Sequence, residues 1–213
     1  ALDQLSKINE DILSTDKFPL VFGGEHSITP GSIKPFARKY DEITLLHFDA
    51  HADLRESYQG EKFSHASAIK RCLDYKNLKV VSFGIRNLSK EEMDFYNENR
   101  DRIEIFWGKD KQTWDLSLLD KFFKNKNVYI TFDVDGFDSS LMPATGTPEP
   151  GGMFWNDVMP ILKNVCLVSN VVGADINELA PIKKFNSCNF LTAKLAYKII
   201  SYVFESKLKY LDR

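Results

Sequence analysis

Leu45-Leu46-His47-Phe48-Asp49-Ala50-His51-Ala52-Asp53 is the stretch around which the rest of the chain is arranged. It begins with an apolar run, which predicts a short buried strand. Three side chains that commonly bind metals then follow at alternate positions, and alternate side chains of an extended strand point to the same face. Two carboxylates and one imidazole in this arrangement suit a divalent first-row metal. A polar turn after a core strand is the alternative, but the third potential ligand and a second acidic cluster downstream favour a metal site.

Short apolar runs alternate with amphipathic segments about six times along the chain. The predicted strands cover residues 19–22, 43–48, 78–85, 103–107, 128–132 and 171–176. Such alternation is typical of an α/β protein with a mainly parallel sheet and helices on both faces, a three-layer αβα architecture. The length of 213 residues fits one domain that spans residues 1–213.

The helical patterns divide the rest of the chain into seven segments. They cover residues 2–13, 29–40, 66–74, 89–99, 116–123, 155–162 and 190–204. Pro160 favours an early end of the helix that contains it. Residues 139–153 predict a Gly- and Pro-rich loop, and a loop of that length in a compact domain is usually functional or disordered. The charged segment 206–213 is expected at the surface.

The residues best suited to chemistry all fall at predicted strand ends: His26, Asp49, His51, Asp53, Asp133, Asp135 and Glu178. Binding sites of open parallel sheets form beyond the carboxyl ends of the strands, so these residues predict one shared site. Two histidines and four aspartates exceed the needs of one ion and favour two ions about 3.5–4 Å apart, bridged by shared carboxylates. Carboxylate-rich ligation with two imidazoles favours Mn²⁺ over Zn²⁺ or Fe²⁺.

Composition and charge exclude several classes of partner. The net charge is −2 and no long basic run occurs, which argues against a nucleic-acid partner. No apolar segment approaches the length of a bilayer span, so no membrane partner is expected. The chain does not open with a signal peptide, and its three cysteines form no C-x-x-C pair. Reduced cysteines that serve as packing residues and a cytoplasmic location are the corresponding expectations.

Three motifs resemble the metal-binding motifs of the ureohydrolases, the family that contains arginase, agmatinase and formiminoglutamase. They are Gly23-Gly24-Glu25-His26-Ser27, Asp49-Ala50-His51-Ala52-Asp53 and Thr131-Phe132-Asp133-Val134-Asp135-Gly136. Pro143-Ala144-Thr145-Gly146-Thr147-Pro148 is also similar to the family signature. The resemblance covers about residues 19–205 and implies an arginase-like fold and a homo-oligomer. Family members carry further chain before the first motif, including an opening strand, so we expect that this N-terminal strand region is missing here.

The resemblance assigns a role to each matching position. It implies that the first Mn²⁺ is held by His26, Asp49, Asp53 and Asp133. It implies that the second Mn²⁺ is held by His51, Asp49, Asp133 and Asp135, with Asp49 and Asp133 as bridges. The predicted catalytic residues are Asp53, His65 and Glu178. His65 matches a family histidine that is linked to proton transfer, and Glu178 matches the carboxylate that orients the guanidinium. The expected substrate contacts are Glu178, Thr147, Arg55 and Glu61.

Each assignment has a simpler alternative. Glu178 could be a surface acid and His65 a helix-start residue. His47 is expected to be a strand residue or a neighbour of the ligands, and Asp138 a turn former. The family usually has Asp where Glu25 stands, and we expect little consequence because this position is not a ligand.

The loop at residues 54–64 decides which guanidino compound is expected. Arginase-like members have Asn at the position of Arg55, and this loop is similar to that of the agmatinase-type branch. We therefore predict hydrolysis of agmatine to putrescine and urea. The substrate amine would be accepted by an acidic residue such as Glu61 or by a carbonyl-lined mouth, and Arg55 could pair with a neighbouring Glu. An Arg55 that faces the pocket unpaired would instead favour arginine or another guanidino acid. Aminopropylagmatine is a longer alternative substrate. Another enzyme class is a zinc amidohydrolase that resembles the deacetylases. The alternative without catalysis is a truncated, inactive binding protein.

Overall fold

Six parallel strands form the central sheet in the computed structural model, which describes residues 1–211 and the side chains up to residue 208. The strands are β1 (Leu20–Phe22), β2 (Ile43–Phe48), β3 (Leu78–Phe83), β4 (Ile103–Phe106), β5 (Asn127–Asp133) and β6 (Asn170–Asn177). Their spatial order is β1-β6-β5-β2-β3-β4, and every neighbouring pair is parallel. All six residues of β2 are buried, as expected for a central strand that is covered on both faces. The predicted parallel sheet is confirmed.

Helices cover both faces of this sheet. They are α1 (Leu2–Ser14), α2 (Thr29–Lys39), α3 (Ala68–Cys72), α4 (Lys90–Glu98), α5 (Leu119–Phe123), α6 (Trp155–Val168) and α7 (Ser187–Leu211). Side chains of β2 alternate between two apolar clusters, because Leu45 joins the cluster of α1 to α4 and Leu46 joins that of α5 to α7. Phe36 anchors the first layer and Leu195 the second. The predicted three-layer α/β architecture is therefore confirmed.

Several predicted boundaries are wrong. Helix α6 continues past Pro160 to Val168, because its apolar face, including Leu162, is buried against the sheet and compensates for the lost backbone hydrogen bond. Helix α7 is longer than residues 190–204 and takes in most of the segment that was expected as a charged tail. Strand β3 ends before Gly84, which has φ +93° and turns the chain away from the ladder. Residues 116–123 divide into a short 3₁₀ turn and α5.

The sheet has two edges, β1 and β4, in the part of the chain that the structure describes. Strand β1 has three residues and pairs with β6 alone among residues 1–211. Phe22 at its end is 64% exposed. None of the described helices combines the length and the apolar character that a bilayer span requires.

Candidate metal centre and active-site cleft

Three strands, β1, β5 and β2, bring the predicted ligands together at the carboxyl edge of the sheet, with β6 between β1 and β5. Phe48 of β2 is in register with Phe132 of β5, so the segments that follow these two strands start side by side. Gly136 packs so close to β2 that a Cβ atom there would lie 2.9 Å from the Asp49 backbone nitrogen. A larger residue at position 136 would push the two acidic segments apart.

His26 faces three carboxylates in the interior of the protein. Its Nδ1 lies 3.0 Å from Asp49 Oδ2, 3.0 Å from Asp53 Oδ2 and 3.4 Å from Asp133 Oδ2. This nitrogen is buried and has no hydrogen-bond partner among the described residues. A buried ring nitrogen that faces several carboxylate oxygens at these distances is suited to share a cation with them. The four residues fit the ligand set that was predicted for the first metal ion.

A second group of ligands forms around His51. Its Nδ1 lies 3.0 Å from Asp135 Oδ2 and 3.5 Å from Asp49 Oδ1. Asp49 thus presents one oxygen to each imidazole, as a bridging carboxylate would. His47 also contacts Asp49, through an Nε2–Oδ2 distance of 2.9 Å, while its Nδ1 lies 3.0 Å from Ser82 Oγ. Because both ring nitrogens of His47 have protein partners, this residue supports Asp49 rather than offering a vacant ligand atom.

The burial and close spacing of these side chains shift their pKa values. Burial and the charge of Asp49 raise the pKa of Asp53 to about 7, and burial, Asp135 and Asp49 raise the pKa of Asp133 well above its ordinary value. Burial disfavours the charged form of His51, but hydrogen bonds to Asp135 and Asp49 outweigh it and raise its pKa to about 11. Positive charge at this position would stabilise all of the carboxylates. The electrostatics and the donor chemistry both fit divalent cations.

A buried polar network lies behind His26, and the sequence reasoning missed it. His26 Nε2 lies 2.8 Å from Thr131 Oγ1, which donates a 2.6 Å hydrogen bond to Asp175 Oδ1. Asp175 also accepts hydrogen bonds from Tyr129 and Asn177. Such a chain fixes the orientation of the ring and directs Nδ1 toward the cluster. The available signal was a lone carboxylate inside the apolar run of β6.

A cleft of about 350 Å³ opens above the cluster. Four of the predicted catalytic or substrate-binding residues outside the ligand set line it: His65, Glu178, Arg55 and Thr147. Glu61, the remaining predicted substrate contact, does not line the cleft. Its backbone forms a tight turn with Tyr58 that leaves its side chain exposed at the loop tip, so a substrate contact of Glu61 stays a prediction.

Glu178 is held in a strained backbone conformation at the end of β6. Its φ of +66° lies in the left-handed region that non-glycine residues seldom adopt. Its backbone N–H donates to Gly24 O at 2.6 Å, and its Oε1 accepts the N–H of His26 at 2.7 Å. Burial raises the pKa of its carboxyl group. These contacts aim the side chain at the cleft, so Glu178 is not an ordinary surface acid.

Two predicted residues on the cleft wall have protein partners. Arg55 Nε lies 3.4 Å from Glu92 Oε2, and its guanidinium stacks over the ring of Tyr58 at 5.4 Å. Arg55 is therefore paired and does not face the cleft as a free cation. Thr147 Oγ1 donates a 3.1 Å hydrogen bond to Asp135 Oδ2, which links the predicted long loop to the ligand cluster.

Arg86 ties the loops around the site together, and no sequence pattern pointed to it. Its guanidinium donates to the backbone carbonyls of Asp135, Phe137 and Glu149. Asp138 is the turn former that was expected, because its carboxylate accepts the backbone N–H groups of Ser140 and Gly152. The two side chains connect the segment after β5 with the loop that precedes α6.

His65 completes the wall of the cleft on the side of β1. It begins a short 3₁₀ helix (His65–Ser67), and its Nδ1 lies 2.8 Å from Glu25 Oε1. The edge of its ring packs against Tyr58, with ring centroids 5.4 Å apart. The imidazole is thus oriented by two neighbours and is not merely a helix-start residue.

Comparison with known proteins agrees with this geometry. The model of the arginase family matches residues 1–204. An N(1)-aminopropylagmatine ureohydrolase of Synechocystis is 36% identical over 91% of this chain and 63% of its own length. An agmatinase of Bacillus cereus is 37% identical over 85% of this chain and 62% of its own length.

Solved structures show the same likeness. The agmatine ureohydrolase of Thermoplasma volcanium superposes with a TM-score of 0.82 at 31% identity, over 98% of this chain and 69% of that structure. An arginase from Medicago truncatula gives a TM-score of 0.81 at 26% identity, over 95% of this chain and 64% of that structure. The chain spans a little less than two thirds of the length of the two curated relatives described above. The family model, the sequence relatives and the shared fold agree that the chain belongs to the arginase family.

Proposed function

We propose that this chain is a ureohydrolase that cleaves a guanidino group and releases urea, with agmatine as its preferred substrate and putrescine as the second product. One observation carries the proposal: the rings of His26 and His51 lie 3.0 Å and 3.5 Å from the two oxygens of Asp49, at the base of a cleft that Glu178 and His65 also line. Agmatinase and aminopropylagmatine ureohydrolase are the names of relatives more than 30% identical to this chain, which supports the same substrate class.

The six predicted ligands would hold two Mn²⁺ ions. His26, Asp49, Asp53 and Asp133 would bind the first ion, and His51, Asp49, Asp133 and Asp135 the second. The hydrogen-bond network behind His26 would keep its Nδ1 directed at the first ion. When bound, two such ions lower the pKa of a water from ~15.7 toward roughly 7, which supplies a nucleophile at neutral pH.

Glu178 would orient the guanidinium. A guanidinium is planar and cationic, and a carboxylate in its plane accepts paired, charge-assisted hydrogen bonds. The N–H of His26 holds Glu178 Oε1, which fixes the plane in which the carboxylate meets the substrate. His65 would transfer a proton to the leaving amine, because an imidazole titrates near neutral pH and lines the same cleft.

The charge of the cleft supports a substrate that is cationic at both ends. Among the described residues that line it outside the proposed ligand set, Glu25, Glu92 and Glu178 carry carboxylates and Arg55 carries a guanidinium. The partner of Arg55 is Glu92, which is itself buried and accepts the backbone N–H groups of Leu54 and Ser89. A paired Arg55 offers little attraction to a substrate carboxylate, so agmatine is favoured over arginine or a guanidino acid. Aminopropylagmatine has the same charge pattern and is the second candidate.

Urea release tests the proposal. The protein is loaded with Mn²⁺, its metal content is measured, and turnover is compared for agmatine, arginine, 4-guanidinobutyrate and aminopropylagmatine. We expect two Mn²⁺ per chain and the highest kcat/KM with agmatine. A preference for arginine or 4-guanidinobutyrate would contradict the agmatinase assignment. Bound metal without urea from any of the four compounds would favour a binding protein without catalysis. The cytoplasmic location and the homo-oligomer stay predictions.

A further inference from the structure

Glu25 joins the first metal-binding segment to the loop that carries His65. Its Oε1 lies 2.8 Å from His65 Nδ1, and its Oε2 accepts a 2.6 Å hydrogen bond from Ser27 Oγ. Both carboxylate oxygens therefore have protein partners. The two residues are 40 positions apart in the chain, and both line the cleft. An incidental surface pair would lack the support that Ser27 gives to Glu25 and Tyr58 gives to the imidazole ring.

The contact decides which ring nitrogen of His65 carries the proton. An ionised carboxylate can only accept hydrogen bonds, so Nδ1 must be the donor in this pair. In the neutral imidazole the other nitrogen, Nε2, is then the basic atom. Nε2 has no hydrogen-bond partner among the residues whose side chains the structure describes. It is the atom that remains available to take up a proton and pass it on.

We propose that Glu25 is a positioning residue that locks His65 in the Nδ1–H tautomer, with Nε2 as the proton-transferring atom. The inference rests on the proton-transfer role of His65 that is part of the proposed function. When Nε2 takes up a proton, the ring becomes an imidazolium, and the charge of Glu25 stabilises it. When the leaving amine accepts that proton, the ring returns to the Nδ1–H form.

The tautomer can be measured directly. Nitrogen-15 and proton correlation spectra of the imidazole rings, at a pH where His65 is neutral, distinguish Nδ1–H from Nε2–H. The signals of His65 are assigned by their loss in His65→Asn. We expect Nδ1–H in the wild type and a shift toward Nε2–H in Glu25→Ala. A wild-type ring in the Nε2–H form, or a ring that Glu25→Ala leaves unchanged, would overturn the inference whether or not the protein releases urea.

Kinetics provide the second measurement. We expect Glu25→Ala to lower kcat with agmatine about tenfold, as is usual when the partner that orients a functional histidine is removed, and to leave KM within about twofold. Glu25→Gln keeps the side-chain volume and should also lower kcat, which guards against a folding defect in the alanine variant. Glu10→Ala, which removes an exposed carboxylate from α1, is the matched control and should behave as wild type. Both Glu25 variants should bind as much Mn²⁺ as the wild type.

A double-mutant cycle distinguishes positioning from a general structural effect. If Glu25 acts through His65, Glu25→Ala should cause no further loss of kcat in the His65→Asn background. An equal loss in both backgrounds would assign Glu25 a role that is independent of His65. If no variant and no wild type releases urea, the proposed function fails, while the tautomer spectra still decide whether Glu25 holds the ring.

Discussion

Two cavities of similar size lie at opposite ends of the same sheet. The cleft at the carboxyl ends has a volume of about 350 Å³, and a cavity at the amino ends of β2, β3 and β4 has about 300 Å³. Charged side chains also line the second cavity, and the Glu42 carboxylate there is paired with two lysines. Glu42 accepts hydrogen bonds from Lys126 at 2.6 Å and Lys79 at 3.2 Å, and Arg102 donates to three backbone carbonyls.

The two cavities have similar volumes, but the pKa values of their carboxylates shift in opposite directions. At the amino end, the Lys126 hydrogen bond, together with Lys79, lowers the pKa of Glu42. At the carboxyl end, burial and neighbouring charge raise the pKa of Asp53 and Asp133. Buried carboxylates with a raised pKa are typical of functional sites, whereas the lysine partners of Glu42 stabilise its ionised form. The predictions below test this difference, from the largest expected effect to the smallest.

Removing the Asp49 carboxylate, which both proposed ligand groups share, should abolish urea release by the site at the carboxyl ends of the strands. We expect Asp49→Asn to hold fewer than two Mn²⁺ per chain and to lower turnover by more than about a hundredfold, because loss of a ligand exceeds the 10–100-fold cost typical of its supporting partners. Elemental analysis and urea release measure both effects. Glu42→Gln is the matched control at the amino end and should keep metal content and rate. Full metal content and normal turnover in Asp49→Asn would refute the bridging role.

The two ends should also respond to pH with opposite signs. Because the pKa of Asp53 is raised from 3.8 to about 7, its stabilising contribution to the metal-free protein is present below about pH 4 and is lost as pH rises through about 7. Glu42, with a lowered pKa, contributes stability above its unfolded-state pKa and loses it as pH falls. We expect Asp53→Asn to reduce the fall in Tm between pH 4 and 8 by about 5 °C or more in EDTA. Added Mn²⁺ should raise Tm mainly at the higher pH values. An unchanged dependence of Tm on pH in Asp53→Asn would contradict the interpretation that burial and the charge of Asp49 raise the pKa of Asp53.

The Glu178→Gln variant tests whether the substrate guanidinium binds at Glu178. Glu178→Gln keeps the size of the side chain and removes one charged acceptor, which should cost about 1.5–3 kcal/mol, or roughly tenfold to a hundredfold in kcat/KM for agmatine. Mn²⁺ content should stay at the wild-type value, because Glu178 is not among the proposed ligands. Unchanged steady-state kinetics would mean that the guanidinium binds elsewhere.

The smallest effect should come from the Arg55–Glu92 pair. Glu92→Gln weakens the partner of Arg55, which would then attract a substrate carboxylate. Because Arg55 is 41% exposed, we expect at most about a fivefold rise in kcat/KM for 4-guanidinobutyrate relative to agmatine. Arg55→Gln should not raise this ratio. If Glu92→Gln leaves the ratio of the two substrates unchanged, another feature of the cleft sets the preference.

The Asp49–Asp53 motif could be identified from the sequence, but strand alternation is not what groups its side chains. Strand β2 ends at Phe48 and Asp53 has a φ of +53°, so the turn beyond the strand places Asp49 and Asp53 beside His26 and leaves His51 beside Asp135. The parallel sheet then places the ends of different strands at one edge, which brings His26 into the same group. Helix ends were harder to predict, because the packing of α6 against the sheet decided that Pro160 is tolerated.

The sequence by itself therefore determined the α/β architecture and predicted the strand ends that carry the candidate metal ligands. Only the tertiary structure decided which residues support them: Asp175 behind His26, Glu92 beside Arg55, and Glu25 beside His65. The difference has a physical reason. Hydrophobic period and turn chemistry act over a few residues, whereas these contacts join segments at least 37 positions apart in the chain, which become neighbours only when the layers of the fold have packed.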